Sequence, residues 1–379
     1  RALTKPDVKK AHTMPTVYAA CEGGGTTFVV AIAHDDPTNI VERAEFKTTS
    51  PAETIGKCCA WLKTRRYDAL GVATFGPVDL NPASPTYGYI TTTPKPGWKH
   101  TDVLGPLRAV DPSAPILFDT DVNAPALAEF LEMQRLGLGG SSCAYVTVGT
   151  GIGVGLVVNG APVHGLMHPE GGHLCVPRLP SDATYAGSNP DDCFGGSCAE
   201  NMACSVSLAK RAGLPDTAAL AALPDDHPAW DAAAHYLGAM CANLVLLVAP
   251  ERIVLSGGVM QRAMLFPKVR KAMQANLNGY IQLPAVLDPG VDNFIVPSAH
   301  GNKAGMVGAM TLAVEALKRK RGEASGGASG AAPSSQRRGS KLPWLLGSPE
   351  GAASWPPAAS VALAAAAGTL GLVLGRMLR

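Results

Sequence analysis

The sequence predicts an α/β fold on three observations. A strand–turn–strand meander near the N-terminus, "TVYAACEGGGTTFVVAIAHDDPTNIVERAEF", gives way to helical spacing at "PAETIGKCCAWLKTRRY". Short apolar, β-branched runs then alternate with helical segments along most of the chain. Glycine turns stand directly after strands at three points, Gly23–Gly25, Gly149–Gly155 and Gly257–Gly258. With 379 residues the chain is long enough for two ordinary domains and can bury a sizeable core.

Each element has a local reason. Ser50 before Pro51 reads as a helix cap followed by a first-turn proline. "DALGVATF" is a short buried strand, followed by the loop "GPVDLNPASPTYGYITTTPKPGWKHTD". A loop beyond about fifteen residues inside a compact body is usually functional or disordered, and its Thr and aromatic content argues for function. "APILFDTDVNAPALAEFLEM" reads as a strand running into a helix, with acidic residues at the joint. "SCAYVTVGTGIGVGLVVNGAPVHG" is a hairpin with a glycine-rich tip. Past residue 205 the pattern is mostly helical through "AAAHYLGAMCANLVLLVAP"; "ERIVLSGGVM" is a strand, and "GNKAGMVGAMTLAVEALKRKR" closes the body as a helix.

After Arg321 the composition changes. Residues 322–357 have too little apolar content to order and are predicted to be a disordered linker. The apolar run Val361–Gly375, extended back to Ala358, reaches the lower edge of the roughly 17–25 residues of a membrane span. Residues 358–379 are therefore a candidate C-terminal anchor; a low-complexity tail or docking helix is the alternative reading. The "KRKR" run at 318–321 reads as a solvated helix end.

Charge divides the chain the same way. Residues 1–16 carry +3 and residues 317–379 carry +7, so with +2 overall the body between them carries −8. An acidic body argues against nucleic-acid binding, which needs a basic face. Nine scattered cysteines do not form a disulfide framework and point to a reducing, cytoplasmic compartment.

Bare backbone N–H groups beside Thr26, Thr27 and Thr150 can cradle phosphate oxygens, because no Cβ blocks close approach. One such turn is weak evidence, since most glycine hairpins are only hairpins. Neither a P-loop nor a strand-to-helix GxGxxG is present. Asp119 and Asp121 sit where a strand runs into a helix. Carboxylates there can cap the helix, or, between two phosphate turns, one can act as a base toward a hydroxyl.

Together the segments "EGGGTTF", "FGPVDLNPASPTYGYITTTPKPGW", "FDTDVNAPALAE", "GTGIGVG", "HPEGGH", "VLSGGV" and "GNKAGMVGA" resemble those of the ROK-family sugar kinases, in the family's order and over residues 17–316. The similarity is greatest to the fructokinase subgroup. The resemblance implies two RNase-H-like domains of the actin/hexokinase-like ATPase kind around a cleft: a smaller N-terminal one at 15–118, with the C-terminal helix at 303–320 packed back on it, and a larger one at 119–302 with a Cys/His loop. It implies ATP-dependent, Mg²⁺-assisted phosphorylation of a hexose primary hydroxyl, D-fructose first, with mannose, glucose or an N-acetylhexosamine as alternatives. It also implies a homodimer.

By the same resemblance Asp121 is the catalytic base. Glu22, Gly24, Gly25 and Thr26 face the phosphates and their metal. Gly149, Thr150, Gly151 and Gly153 form a second phosphate loop, and Gly257 and Gly258 border the adenosine. Asn123, Glu170, His173 and Glu200 hold the sugar. His173, Cys193 and Cys198 are ligands for a structural Zn²⁺, with Cys175, Cys204, Asp192 or water as a fourth.

Two positions depart from the family pattern. Thr27 stands where a lysine is frequent, and "CFGGSC" is one residue shorter than the family's cysteine run and lacks its histidine. His168 reads as a solvated or capping residue; Trp98 either stacks on a sugar or packs its loop; Cys58 and Cys59 read as core. Against the kinase stand a non-catalytic sugar sensor and a membrane-tethered sugar binder that has lost turnover. About fifteen residues precede the first strand, too few for the winged helix of the family's repressors.

Overall fold

A computed structural model describes residues 14–189 and 196–323. Cys193, Asp192, most of the linker and the whole candidate anchor lie outside the described residues.

The meander forms as read: β1 (Val17–Gly23), β2 (Thr27–His34) and β3 (Ile40–Lys47) pair antiparallel in sequence. Ser50 caps α1 (Pro51–Lys63), its side chain accepting from Glu53 N–H. Then come β4 (Ala69–Thr74), a two-stranded ribbon of β5 (Tyr89–Ile90) and β6 (Thr101–Asp102), α2 (Leu104–Arg108), β7 (Ile116–Thr120) and α3 (Asn123–Arg135). A second run supplies β8 (Cys143–Val148), β9 (Ile152–Val158), β10 (Ala161–Pro162), α4 (Ala199–Ala203), α5 (Ser205–Arg211), α6 (Pro228–Val248), β11 (Ile253–Ser256), α7 (Leu265–Leu277), α8 (Val291–Phe294), β12 (Ile295–Pro297) and α9 (Ala304–Arg321).

The two large sheets share one topology. The first has the order β3-β2-β1-β4-β7 and the second β10-β9-β8-β11-β12. In each, the first three strands form an antiparallel meander and the last two join parallel to the first. Central strand β1 is buried on both faces, which explains its near-continuous apolar run; β3, at the edge, alternates.

Three cores separate the layers. One packs α1 and α2 on the outer face of the first sheet, around Phe28, Leu62 and Trp98. A middle core joins both sheets through α3 and α9. A third packs α4 to α8 on the second sheet, around Trp230, Tyr236 and Met240. Helix α6 is long and apolar enough to cross a membrane, yet 67% of its most apolar window is buried in this core.

Trp98 is fully buried. It stacks on Phe28 at 5.2 Å, meets Phe75 at 5.4 Å and donates from Nε1 to Thr49 O at 2.8 Å. The ring therefore anchors the long loop and is shut away from any sugar. His168 corrects its expectation: it is 4% exposed, and its Nε2 accepts from Val78 N–H at 3.0 Å, binding that loop to the second half of the chain.

Helix α9 crosses β4, β1 and β7 and packs on α3. The approach is close because β4 has no side chain at Gly71. A Cβ there would fall 1.9 Å from Ala309 O and 2.7 Å from Ala313 N. Gly71→Ala should lower the unfolding free energy of the full chain by about 2–4 kcal/mol in urea titration, because helix backbone must move. A loss within 0.5 kcal/mol of zero would show that α9 is not held where the packing puts it.

Candidate active site

The site is built from strand ends. The β1–β2 turn closes by Gly24 N–H donating to Thr27 O at 2.8 Å, and Thr48 Oγ1 holds Gly24 O at 2.8 Å, leaving Gly25 and Thr26 exposed. The β8–β9 tip closes by Gly149 N–H to Gly151 O at 2.8 Å, while Gly149 O accepts from Ser205 N–H at 2.7 Å. After β11, Gly257 has φ +91, and a Cβ would lie 2.5 Å from Val148 O, so glycine is required there; the space at Gly258 is open.

A cavity of about 460–530 Å³ scale is ordinary for a small-molecule site, and one of 530 Å³ adjoins two of these turns. It is lined by Gly149, Ser205, Ala221, Trp230, Gly258 and Arg262, among others. Arg262 lies 4.6 Å over the Trp230 ring and donates to Leu220 O and Ala221 O, which fixes the wall. The sequence flagged only the glycines of this cavity. Ser205, Trp230 and Arg262 sit in helical or loop contexts that carry no motif.

Carboxylates converge between the turns. Asp121 follows β7, its N–H bonded to Thr74 O at 2.9 Å. Burial, then the charge of Glu22, pushes its carboxyl up to about 7. Glu22, next to last in β1, lies against the first turn of α9, for a Cβ at Gly305 would lie 1.9 Å from its Oε1. Burial pushes Glu22 up to about 7 as well, Arg43 opposing. Glu170, 40% exposed, is pushed up to about 7 by desolvation and then by Asp121 and Glu200. Glu200 is steered by Ile152 N–H, which donates to its Oε2 at 2.8 Å. Acids held protonated near neutral pH in this way are poised to exchange protons with hydroxyl groups.

Asn123 is placed otherwise than expected. It is fully buried, and its carboxamide bonds Asp119 Oδ1 at 3.1 Å, Val163 O at 3.4 Å and Leu156 N–H at 3.3 Å. Every polar atom is engaged with protein, so it fixes the β7–α3 joint rather than facing the cleft. Thr27 starts β2 as an exposed residue, with no cation in its place.

His173 Nδ1 lies 3.6 Å from Cys198 Sγ, and Asn201 N–H also donates to that sulfur at 3.4 Å. Cys175 pairs with Cys198 through a backbone bridge, and Cys204 is buried. Among the described residues no three His, Cys, Asp or Glu side chains group as a metal site.

A family profile described as the ROK family matches residues 18–316. A fructokinase of Lactococcus lactis subsp. cremoris is 39% identical over 302 residues, covering 79% of this chain and 98% of that protein. A fructokinase of Pediococcus pentosaceus is 37% identical over 302 residues, covering 80% and 99%. Among solved structures, a ROK family glucokinase from Streptomyces griseus, in complex with glucose and AMPPNP, superposes with a TM-score of 0.59 at 21% identity, over 80% of this chain and 100% of that one. That match carries the two-sheet fold.

The raised carboxyls have a consequence for stability. An acid whose folded value is about 7 against an unfolded value near 4 takes up protons on folding between those limits, so stability falls as pH rises through that window. Asp121→Asn should therefore be more stable than the parent at pH 8, by about 1–2 kcal/mol after allowance for solvent screening. The gain should vanish near pH 4. Equal melting curves at both pH values would show that Asp121 is not held uncomfortably ionised.

Proposed function

The chain belongs to the ROK family, and we propose that it is an ATP-dependent fructokinase that transfers the γ-phosphate to the primary hydroxyl of D-fructose. The observation that carries this reading is Asp121, just before α3, raised to about 7 by burial and by Glu22 and itself acting on Glu170. The two halves of the reading are a smaller lobe at 15–118 completed by α9 and a larger one at 119–302.

The 530 Å³ cavity beside Gly149 and Gly258 takes the nucleoside, with Trp230 and Arg262 as its wall. The turns at Gly24–Thr26 and Gly149–Gly151 hold the phosphate chain through backbone N–H groups. Glu170, Glu200 and His173 accept or donate to sugar hydroxyls, which would otherwise be left unpaired in a closed site. Asp121 takes the proton of the attacking hydroxyl as its oxygen reaches phosphorus, and its raised pKa suits that task near neutral pH. The hard carboxylate of Glu22, raised by burial, would help to hold a Mg²⁺, whose charge would offset that of the phosphates. Positioning and electrostatics account for the rest.

A structural Zn²⁺ would draw on His173 and Cys198, which already face each other, with Cys193 outside the described residues as the third ligand. Metal analysis of the purified full chain should find about one zinc per chain, lost in Cys198→Ala; a metal-free protein of full activity would remove zinc from the account.

An ADP-release assay with fructose, mannose, glucose and N-acetylglucosamine tests the main reading. Fructose should give the highest kcat/KM, and the free-enzyme profile should fall as pH drops below about 7, where Asp121 is protonated. Asp121→Asn should lose at least about 10³-fold in kcat while sugar binding stays within a few-fold. Near-parental turnover in that variant would remove Asp121 as the base. Strong release with another hexose alone would reassign the substrate.

A further inference from the structure

The β7–α3 joint holds a second charged pair that this reaction scheme leaves unused. Asp119, two residues before Asp121, is 2% exposed. Its Oδ1 accepts from Thr120 N–H at 2.8 Å and from Asn123 Nδ2 at 3.1 Å. Its Oδ2 lies 2.8 Å from Nε2 of His164. That histidine comes from the other sheet, just after β10, and its side chain is 43% exposed. It lines a cavity of about 460 Å³ together with Pro77, Asn81, Thr92 and Met167.

A carboxylate this buried needs a partner, since an uncompensated buried charge is strongly destabilising. His164 is that partner. Burial alone would push its imidazole down, as it does for His168, but the bond and charge of Asp119 outweigh burial and raise it. Arg319 of α9 opposes the cation more weakly. The pair also spans the molecule: β7 belongs to the first sheet and the His164 loop to the second. Asn123, bonded to Asp119, Val163 O and Leu156 N–H, makes a parallel tie.

Resting on the reading of Asp121 as the base, we propose that His164 is a positioning residue: its bond to Asp119 ties the loop after β10 to the end of β7 and so sets the angle at which Asp121 meets the sugar hydroxyl. Misplacement of a reacting group by about 1 Å can cost on the order of 10²-fold in rate, so partial release of one tie, with Asn123 intact, predicts a smaller loss.

The test is steady-state kinetics on the full chain. His164→Ala should lower kcat about tenfold with both KM values within twofold. His164→Gln, whose amide reaches the Nε2 position, should recover kcat to within about threefold of the parent. Asp119→Asn should lose about as much as His164→Ala, and the double variant no more than either, as expected for one shared interaction. Parental kcat in His164→Ala overturns the proposal. So does a rise in KM with kcat retained, which would make the ring a sugar contact, or a glutamine variant no better than alanine. If the alanine variant does not fold, His164→Phe keeps the ring without the donor, and near-parental kcat in it overturns the proposal equally. Loss of turnover in Asp121→Asn with normal His164→Ala would sink this inference alone; retained turnover in Asp121→Asn would sink the base assignment instead.

Discussion

The constraint on which the rest depends is the closeness of one helix layer to two sheets. α3 and α9 lie between the sheets and contribute to a single middle core with residues of both. Small residues permit this. Gly71 admits α9 onto β4, Gly308 would place a Cβ 2.3 Å from Pro125 N, and Gly155 would place one 2.0 Å from Val122 O. The start of α3 is thereby held against β9 and the middle of α9 against β4. Asp121 stands just before α3, and Glu22 lies against Gly305 at the start of α9. Interiors at native density transmit small displacements instead of absorbing them, so the placement of the acids follows from the packing.

Against that rigidity stands electrostatic tension. Three acids are raised to about 7, first by burial and then, for Asp121 and Glu170, by the charge of a neighbouring acid. In an isolated surface patch such an arrangement would relax by side-chain motion. Here the backbone of β1, β7 and the β9-linked Glu200 holds it in place. A site kept in this state favours ligands that bring positive charge or hydroxyl donors, and the buried core offsets what the site loses in stability.

The sheets, the helix that crosses back at the C-terminus of the body and the glycine turns were legible because each rests on local rules: alternation, capping, and turns that tolerate no Cβ. The place of Asp121 at a strand–helix joint was legible, but a carboxylate there can equally cap the helix, and the sequence carries no sign of the burial that raises its pKa. Trp230 and Arg262 were not, since a buried tryptophan in an apolar helix reads as core until the cavity beside it is seen. His168 was misread for the opposite reason: a polar residue between Met167 and Pro169 looks solvated, and only the distant Val78 N–H explains its burial. Asn123 shows the limit of pattern matching. The residue is where the resemblance puts it, but its side chain is engaged by Asp119 and two backbone groups.

The matched topology of the two sheets explains why the chemistry gathers in one place. The β1–β2 and β8–β9 turns are equivalent positions in the same strand order, and both are glycine-rich. β4 and β11 likewise correspond, as do β7 with α3 and β12 with α9. Equivalent strand ends supply two glycine turns without any further design. The chemistry then breaks the symmetry. The β7–α3 joint carries Asp119 and Asp121, whereas the β12–α9 joint carries Ser298 and Ala299, which both bond Glu129 of α3. One joint presents a carboxylate to the cleft; the other receives a carboxylate from its twin and holds it. The second joint therefore braces the helix that follows the first, and a repeated scaffold loses its symmetry where the acids stand.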